Sequence, residues 1–289
     1  MVALVACGRL HFDDLVVDGK PASCTWSAFS TPQPLPAVVQ SSVDDWGPTP
    51  TLGGTELFFY SYRGVGSSTL WHAPTDPYAA AIEESELDGG AFNVKYPALP
   101  DDALDIIYGL DNGTGYQLVE ATRTSTLDAF GAPVAIAELA SGGNDFAPAL
   151  TPDGLRLVFT SDRAMPSGQD LLYETSRVDR ASPFAPPVEL AELGPLATDD
   201  TFPGATLSSD ALDLFVAMKP GSRVHIFHAH RTAIGQPFST PTQVNELSSA
   251  KDDGLQHLSA DGATMFLDYD TDQNGGQNAE LYSATRTCQ

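Results

Sequence analysis

Two short motifs recur along this chain with a period of about 54 residues. A Phe-x-x-Pro element begins at Phe130, Phe184 and Phe238, which are 54 residues apart, and an earlier copy begins at Phe29. Arginines that close an apolar segment keep the same rhythm, at Arg123, Arg177, Arg231 and Arg286. Self-similarity at this spacing is the signature of a repeat architecture, in which each unit is one supersecondary structure that packs on its neighbours.

Each repeat is expected to form four short strands. Turn signals such as Asp153-Gly154 lead into apolar segments such as residues 155–160, and 25 Gly and 22 Pro in 289 residues favour many turns over long helices. We expect the outermost strand to begin at the Phe-x-x-Pro element, because a missing amide costs least at a sheet edge. Four-stranded units of this length, arranged in a ring, are propeller blades. The sequence predicts an all-β, five-bladed β-propeller over residues 24–289.

The third repeat resembles a known family. Residues 148–163 run Pro-Ala-Leu-Thr-Pro-Asp-Gly-Leu-Arg-Leu-Val-Phe-Thr-Ser-Asp-Arg, and Asp170-Leu-Leu-Tyr173 follows. This pattern resembles the TolB-type, WD-like propeller repeat of bacterial extracytoplasmic proteins. The resemblance implies the fold and a location outside the cytoplasm, but no activity, because propellers host many unrelated functions.

The two ends of the chain are expected to meet. The fifth unit, residues 255–286, stops after three strands, and residues 29–42 resemble an outer strand, so the N-terminal strand should complete the last blade. Cys24 and Cys288 map to the same repeat position, that of Asp179, which predicts a disulfide between them.

The N-terminus carries an incomplete export signal. Residues 4–7, Leu-Val-Ala-Cys, resemble the lipobox of bacterial lipoproteins, although only six residues precede Cys7 and none is basic. Either the start is mis-set or trimmed, or the match is chance. We interpret residues 1–23 as an export remnant and linker, and expect an exported protein, periplasmic or on the cell surface, with lipidation of Cys7 as a further hypothesis. No apolar run is long enough for a transmembrane helix.

The net charge of the chain disfavours some classes of binding partner. There are 38 acidic and 14 basic residues, for a formal net charge of −24. Such a surface repels phosphate backbones, so we expect no nucleic acid partner, and we expect a monomer.

Acidic residues recur before the first strand of most repeats. Since inner strands converge on the axis of a propeller, we expect these residues, with two adjoining aromatic side chains, to bind a cation or a basic partner segment at one mouth of a central channel. The alternative is that the aspartates cap turns by accepting backbone hydrogen bonds. The candidate ligand-binding residues are Asp45, Asp145, Asp200, Asp253, Trp46 and Phe146.

A calcium loop is the second candidate site. From residue 270 the fifth repeat reads D-x-D-x-N-G-x-x-N, and alternating side-chain oxygens with Gly at the sixth position can wrap a calcium ion. The twelfth position is Leu281 and the acid comes one residue early, so a polar hairpin loop is the alternative. The candidate ligands are Asp270, Asp272, Asn274, Asn278 and Glu280.

Two classes of function remain. The leading hypothesis is an extracytoplasmic binding or scaffold module, without enzymatic activity, that holds a protein or glycan ligand at the channel mouth. The alternative is a carbohydrate-active enzyme, since some glycosidases are five-bladed propellers with carboxylates in the central pocket. The sequence has no G-x-S-x-G and no H-E-x-x-H motif. A repeated set of aspartates also fits a scaffold better than one asymmetric acid and base pair.

Overall fold

Five antiparallel sheets of four strands make up the fold in a computed structural model, which describes residues 25–64, 66–87, 93–164, 169–196, 204–249, 252–270 and 279–289. From inner to outer strand, the first blade holds β2 (Asp45–Thr51), β3 (Glu56–Ser61), β4 (Thr69–Pro74) and β5 (Ile82–Glu83). The second holds β6 (Val94–Ala98), β7 (Asp105–Asp111), β8 (Tyr116–Thr122) and β9 (Val134–Ala135). The third holds β10 (Asp145–Leu150), β11 (Arg156–Ser161), β12 (Leu171–Ser176) and β13 (Val188–Glu189). The fourth holds β14 (Ala205–Leu207), β15 (Asp213–Met218), β16 (His225–His230) and β17 (Thr242–Gln243). The fifth holds β18 (Asp253–Leu258), β19 (Thr264–Asp270), β20 (Ala279–Thr285) and β1 (Gln33–Pro34).

The inner strands form a closed ring. Each of β2, β6, β10, β14 and β18 contacts the inner strand of the next blade, and β18 contacts β2. The described helices are three short 3-10 turns, Leu52–Gly54, Ser85–Leu87 and Ala191–Leu193. In the part of the chain that the structure describes, no helix has the length and apolar character needed to cross a bilayer. The predicted five-bladed, all-β propeller is confirmed.

The N-terminal strand closes the ring as predicted. β1 pairs with β20 in antiparallel register, with Gln33 opposite Ser283 and Pro34 opposite Tyr282. The pairing continues beyond the strands, where Trp26 lies opposite Cys288. Cys24 itself lies outside the described residues, so its disulfide with Cys288 stays a prediction.

The third, fourth and fifth blades turn from the inner to the second strand through the same side-chain chemistry, in which an Asp carboxylate accepts hydrogen bonds from a backbone amide and from a Ser or Thr hydroxyl. In the third blade Asp153 Oδ1 accepts hydrogen bonds from the Leu155 amide at 2.9 Å and from Thr151 Oγ1 at 2.6 Å. Gly154 adopts a φ of +72°, a left-handed conformation that glycine takes without a steric penalty. The Thr-Pro-Asp-Gly segment is therefore a side-chain-locked turn, and it places the strand at residues 156–161 against the inner strand.

The hydrophobic core is divided among the blade interfaces. The cluster between the last and first blades joins Phe266 and Leu281 to Leu57, Phe59 and Ala73, all at most 5% exposed. Similar clusters lie between the other neighbouring blades. Because the apolar faces of one blade are buried only by its neighbours, the ring must close before all of them leave water.

The closing arginine and the Phe-x-x-Pro element of a repeat contact each other at these interfaces. The guanidinium carbon of each closing arginine lies 4.3–4.7 Å from the ring centre of a Phe-x-x-Pro phenylalanine, a cation–π geometry. Each arginine also donates from Nε to the carbonyl of the inter-strand turn, at 2.7–2.9 Å. In the four blades that carry the motif, its proline directly precedes the two-residue outer strand, so the motif leads into that strand and does not begin it. The motif recurs because these contacts recur.

Candidate functional site

The repeated aspartates are buried. Asp145, 1% exposed, accepts hydrogen bonds at Oδ1 from Arg163 Nη2 and from Ser161 Oγ, both at 2.6 Å. Its Oδ2 accepts from the Ser141 amide at 3.0 Å and from the Ser141 hydroxyl at 2.8 Å. Both carboxylate oxygens are used to tie the start of β10 to the end of β11 and to the connection that enters the blade.

Asp45 repeats this arrangement in the first blade, where Arg63 Nη2 donates to its Oδ1 at 2.6 Å and the Ser41 amide to its Oδ2 at 2.7 Å. Asp253, 0% exposed, accepts from the Ser249 amide at 2.8 Å and lies 2.9 Å from His225 Nδ1 of the preceding blade. Burial raises the pKa of Asp253, although these hydrogen bonds oppose the effect.

The prediction that these aspartates offer their carboxylates to a ligand is therefore wrong for Asp45, Asp145 and Asp253, because backbone amides and arginine or histidine side chains occupy them. They are the capping groups of the alternative interpretation. Asp200 lies outside the described residues. Its role therefore stays a prediction.

In the first three blades, the next residue along the inner strand lies close to its counterparts. Trp46, Lys95 and Phe146 occupy this position in the first three blades, and Trp46 and Phe146 belong to one hydrophobic cluster. We call the aromatic side chains at this end of the axis the axial cluster. Its members are Trp46, Tyr62, Tyr96, Tyr116 and Phe146.

The axial cluster has a buried base and a partly exposed surface. Phe146 is 1% and Tyr96 5% exposed, with ring centres 6.3 Å apart. Trp46, Tyr62 and Tyr116 are only partly buried and pack against this base. Lys95 Nζ lies 5.4 Å from the centre of the Tyr116 ring. The result is an aromatic platform bordered by a cation, formed by the first three blades.

The backbone helps to form this platform. Tyr96 has a φ of +59°, and its repeat equivalents Gly47 and Ala147 have +63° and +47°, at a register shift in each inner strand. Such bulges redirect the side chains on either side of them, and a left-handed tyrosine costs roughly 1–2 kcal/mol. This strained backbone therefore lies at the place where the aromatic rings converge.

Burial disfavours the charged forms of the tyrosines and of the lysine in this platform. Burial raises the pKa of Tyr62, Tyr96 and Tyr116 above the usual tyrosine value, and Asp268 adds to the effect on Tyr96. Burial also lowers the pKa of Lys95, against an opposing effect of Asp111. The phenols are thus neutral in ordinary solution, and act as flat apolar surfaces that carry hydroxyl groups.

A buried carboxylate supports the same end of the axis. Asp268, 0% exposed, accepts a hydrogen bond at Oδ2 from the Gly47 amide at 2.8 Å, which joins the last blade to the first. A Cβ on Gly254 would overlap this carboxylate, so that position requires glycine. Asp268 was not among the predicted site residues, and Tyr62 and Tyr116 were also missed, because they lie on neither repeated motif.

The calcium prediction lies largely outside the described residues. Asp272, Asn274 and Asn278 fall there, and of Asp270 only the backbone at the end of β19 is described. Glu280 Oε2 accepts a hydrogen bond from Tyr282 Oη at 3.2 Å. Among the described residues there is no group of three or more His, Cys, Asp or Glu side chains suited to a metal. Calcium binding and the lipidation of Cys7, which also lies outside this part of the chain, stay predictions.

The comparisons with known proteins agree with the fold. A thermostable family-43 glycoside hydrolase superposes with a TM-score of 0.59 at 12% identity, over 86% of this chain and 91% of that one. The α-L-arabinofuranosidase PaAbf62A from Podospora anserina gives 0.58 at 12% identity, over 93% and 99%. A TolB-like protein of Agrobacterium tumefaciens gives 0.50 at 13% identity, over 90% and 91%. No family model and no curated protein matches the sequence. At these identities the likeness shows a shared propeller fold with both TolB-like and glycoside hydrolase neighbours.

Proposed function

We propose that this chain is a binding propeller that acts outside the cytoplasm and holds a protein or glycan ligand against the axial cluster. The observation that carries the proposal is the convergence of Trp46, Tyr62 and Tyr116 with Lys95 at one end of the axis, partly exposed to solvent. Large, rigid aromatic side chains with a polar group are the usual anchors of protein interfaces, and their flat faces suit the apolar faces of ligands.

The distribution of carboxylates favours binding over catalysis at this end. Glycoside hydrolysis needs two carboxyl groups at a defined separation, one of them able to give a proton to the leaving oxygen. Asp45 and Asp145 are instead held by arginines at 2.6 Å and by backbone amides. A carboxylate fixed in this way stabilises the blade, and its oxygens are already occupied by hydrogen bonds within the protein.

The proposed location rests on the sequence. The lipobox-like segment that ends at Cys7 and the resemblance to the TolB-type repeat both support export. A disulfide between Cys24 and Cys288 would require an oxidising compartment, and its formation in the native host would support the same location.

A panel of oligosaccharides and peptides, assayed for both binding and hydrolysis, tests the proposal. We expect at least one member to bind without turnover, and Tyr62→Ala to weaken its binding by about tenfold or more, about 1.4 kcal/mol, because an aromatic contact is lost. Tyr78→Ala is the matched control. Tyr78 is a partly buried tyrosine between β4 and β5, away from the axial cluster, and its loss should change the affinity less than about twofold.

Two results would overturn the proposal. Equal loss of affinity in both tyrosine variants, at unchanged stability, would place the ligand elsewhere. Hydrolysis of a panel oligosaccharide that one single Asp→Asn substitution abolishes, while the other such substitutions are mild, would favour the carbohydrate-active enzyme instead.

A further inference from the structure

The blade interfaces differ in how the closing arginine is neutralised. Between the second and third blades, Arg177 Nη1 lies 2.8 Å from Glu120 Oε1. Between the third and fourth, Arg231 donates to both oxygens of Glu174, at 2.7 and 2.8 Å. In each case the acid comes from the third strand of the preceding blade, so a glutamate side chain fills the space between the two blades.

The interface between the fourth and fifth blades lacks this acid. The register of β15 and β16 places His228 opposite Phe215, just as Glu174 lies opposite Val158, so His228 stands where the third blade has Glu174. His228 Nε2 is directed to Asp213 Oδ1 of its own blade at 2.8 Å, and His230 Nδ1 lies 3.0 Å from the same oxygen. The first blade also has a histidine at this position, His72, but the buried Glu84 lies 2.6 Å from it.

Arg286 is left with aromatic neighbours. Its guanidinium carbon lies 4.4 Å from the Trp26 ring, 4.7 Å from Phe29 and 5.7 Å from Phe215. Among the described residues no carboxylate lies within 4 Å of it, and Nε donates to the Gly262 carbonyl at 2.7 Å. Burial lowers the pKa of Arg286 to about 10, against the opposing charges of Asp213 and Asp261, so the group is charged but poorly solvated. A partly desolvated guanidinium pairs strongly with a carboxylate.

A cavity opens at this place. Its volume is about 510 Å³, within the range of small-molecule sites, and it is lined by Trp26, Phe29, Asp213, His228, Glu246 and Arg286 among others. The lining also holds the carboxylates of Glu246 and Asp213, and Oδ1 of Asp213 is already engaged by His228 and His230. Arg286 thus supplies a guanidinium beside the aromatic wall that Trp26 and Phe29 form.

We propose that this cavity binds a ligand that carries a carboxylate, which pairs with Arg286 as Glu174 pairs with Arg231, while the body of the ligand packs on Trp26 and Phe29. The carboxylate belongs to a small organic acid or to an acidic side chain of a peptide. The site is separate from the axial cluster, and the proposal is independent of the function proposed above.

Calorimetric titration with benzoate, and with a short capped peptide that has a single Glu, tests the proposal. We expect at least one probe to bind in the millimolar range or tighter. Its neutral counterpart, benzamide or the matching Gln peptide, should bind at least about tenfold more weakly, because it lacks the charge that pairs with Arg286. Arg286→Gln should abolish binding, and Arg223→Gln, on the loop before β16, should leave it unchanged.

His228→Glu provides the decisive variant, because it restores the glutamate of the other interfaces. We expect it to fold with equal or higher melting temperature and to lose binding of the probe by about tenfold or more, since its own carboxylate pairs with Arg286. Benzoate alone would identify a small acid as the ligand type, and the Glu peptide alone an acidic side chain. Failure of both probes, or equal binding of a probe to the parent and to a folded His228→Glu variant, would overturn the proposal.

Discussion

His257 should make this propeller sensitive to mild acid. The side chain lies on β18 and is 4% exposed. Together with Thr49 and Thr206 it lines a cavity of about 20 Å³, near the turns that join the inner strands to the second strands. Its Nε2 is buried and has no hydrogen-bond partner among the described residues. Burial lowers the pKa of His257 from 6.5 to about 4, because the charged imidazolium would lose its hydration there.

The sign and size of the effect follow from this shift. Between the folded pKa of His257, about 4, and the unfolded value, about 6.5, the unfolded chain binds more protons than the native one. The free energy of unfolding therefore falls as the pH drops through this window. At about 1.4 kcal/mol per pKa unit, the loss is about 2 kcal/mol at pH 5 and about 3 kcal/mol at pH 4, relative to pH 8.

Denaturant unfolding of the parent and of His257→Gln at several pH values between 8 and 4.5 measures this loss. Other groups titrate in both proteins, so the difference between the two free energies isolates His257. We expect the parent to lose about 2 kcal/mol more than the variant between pH 8 and pH 5. His257→Leu, which differs in shape and polarity, should show the same pH dependence as His257→Gln, because neither titrates here.

A difference between parent and variant that stays constant within about 0.5 kcal/mol across this range would refute the reasoning. His257 would then be solvated or paired in the native state, and not buried without a hydrogen-bond partner as described above.

Further predictions concern the blades and the ring. Glu174→Gln should cost about 3 kcal/mol in denaturant unfolding, because it leaves its buried arginine partner in the next blade without a full counter-charge. Asp145→Asn should cost about 2 kcal/mol in the same assay, but leave the affinity for an axial ligand unchanged, because its carboxylate caps the blade. If Cys24 and Cys288 pair, the unreduced, denatured chain should titrate one thiol of three, and Cys288→Ser should lower stability by up to about 5 kcal/mol. If the loop after β19 binds calcium, the ion should raise the melting temperature of the parent but not of Asp270→Ala.

The ring could be predicted from the sequence because its repeated motifs make repeated contacts. The spacing of Phe130, Phe184 and Phe238 reflects a cation–π contact that recurs at four of the five blade interfaces, and the position of Phe29 indicates that the N-terminal strand completes the last blade. Such contacts tie local sequence to global structure, so one period locates all the blades.

The candidate site was harder to predict, because a repeat shows that a residue recurs but not whether its side chain is exposed. Asp145 recurs because it caps a blade, and its arginine partner lies 18 residues later, outside the motif. The cavity beside Arg286 does have a sequence signal, the change from Glu174 to His228 at one position of aligned repeats. That signal becomes meaningful only when the arginine of the next blade is known to face it.

The most direct test of the axial site is a fluorine NMR titration of protein labelled with 5-fluorotryptophan. The chain has three tryptophans, and they report on three places: Trp46 on the axial cluster, Trp26 on the cavity beside Arg286, and Trp71 on the outer part of the first blade. With the tightest-binding member of the oligosaccharide and peptide panel, we expect the Trp46 resonance to shift in a saturable manner while the Trp71 resonance stays in place. Saturable binding that leaves the Trp46 resonance unchanged would contradict the proposal that the axial cluster is the ligand site.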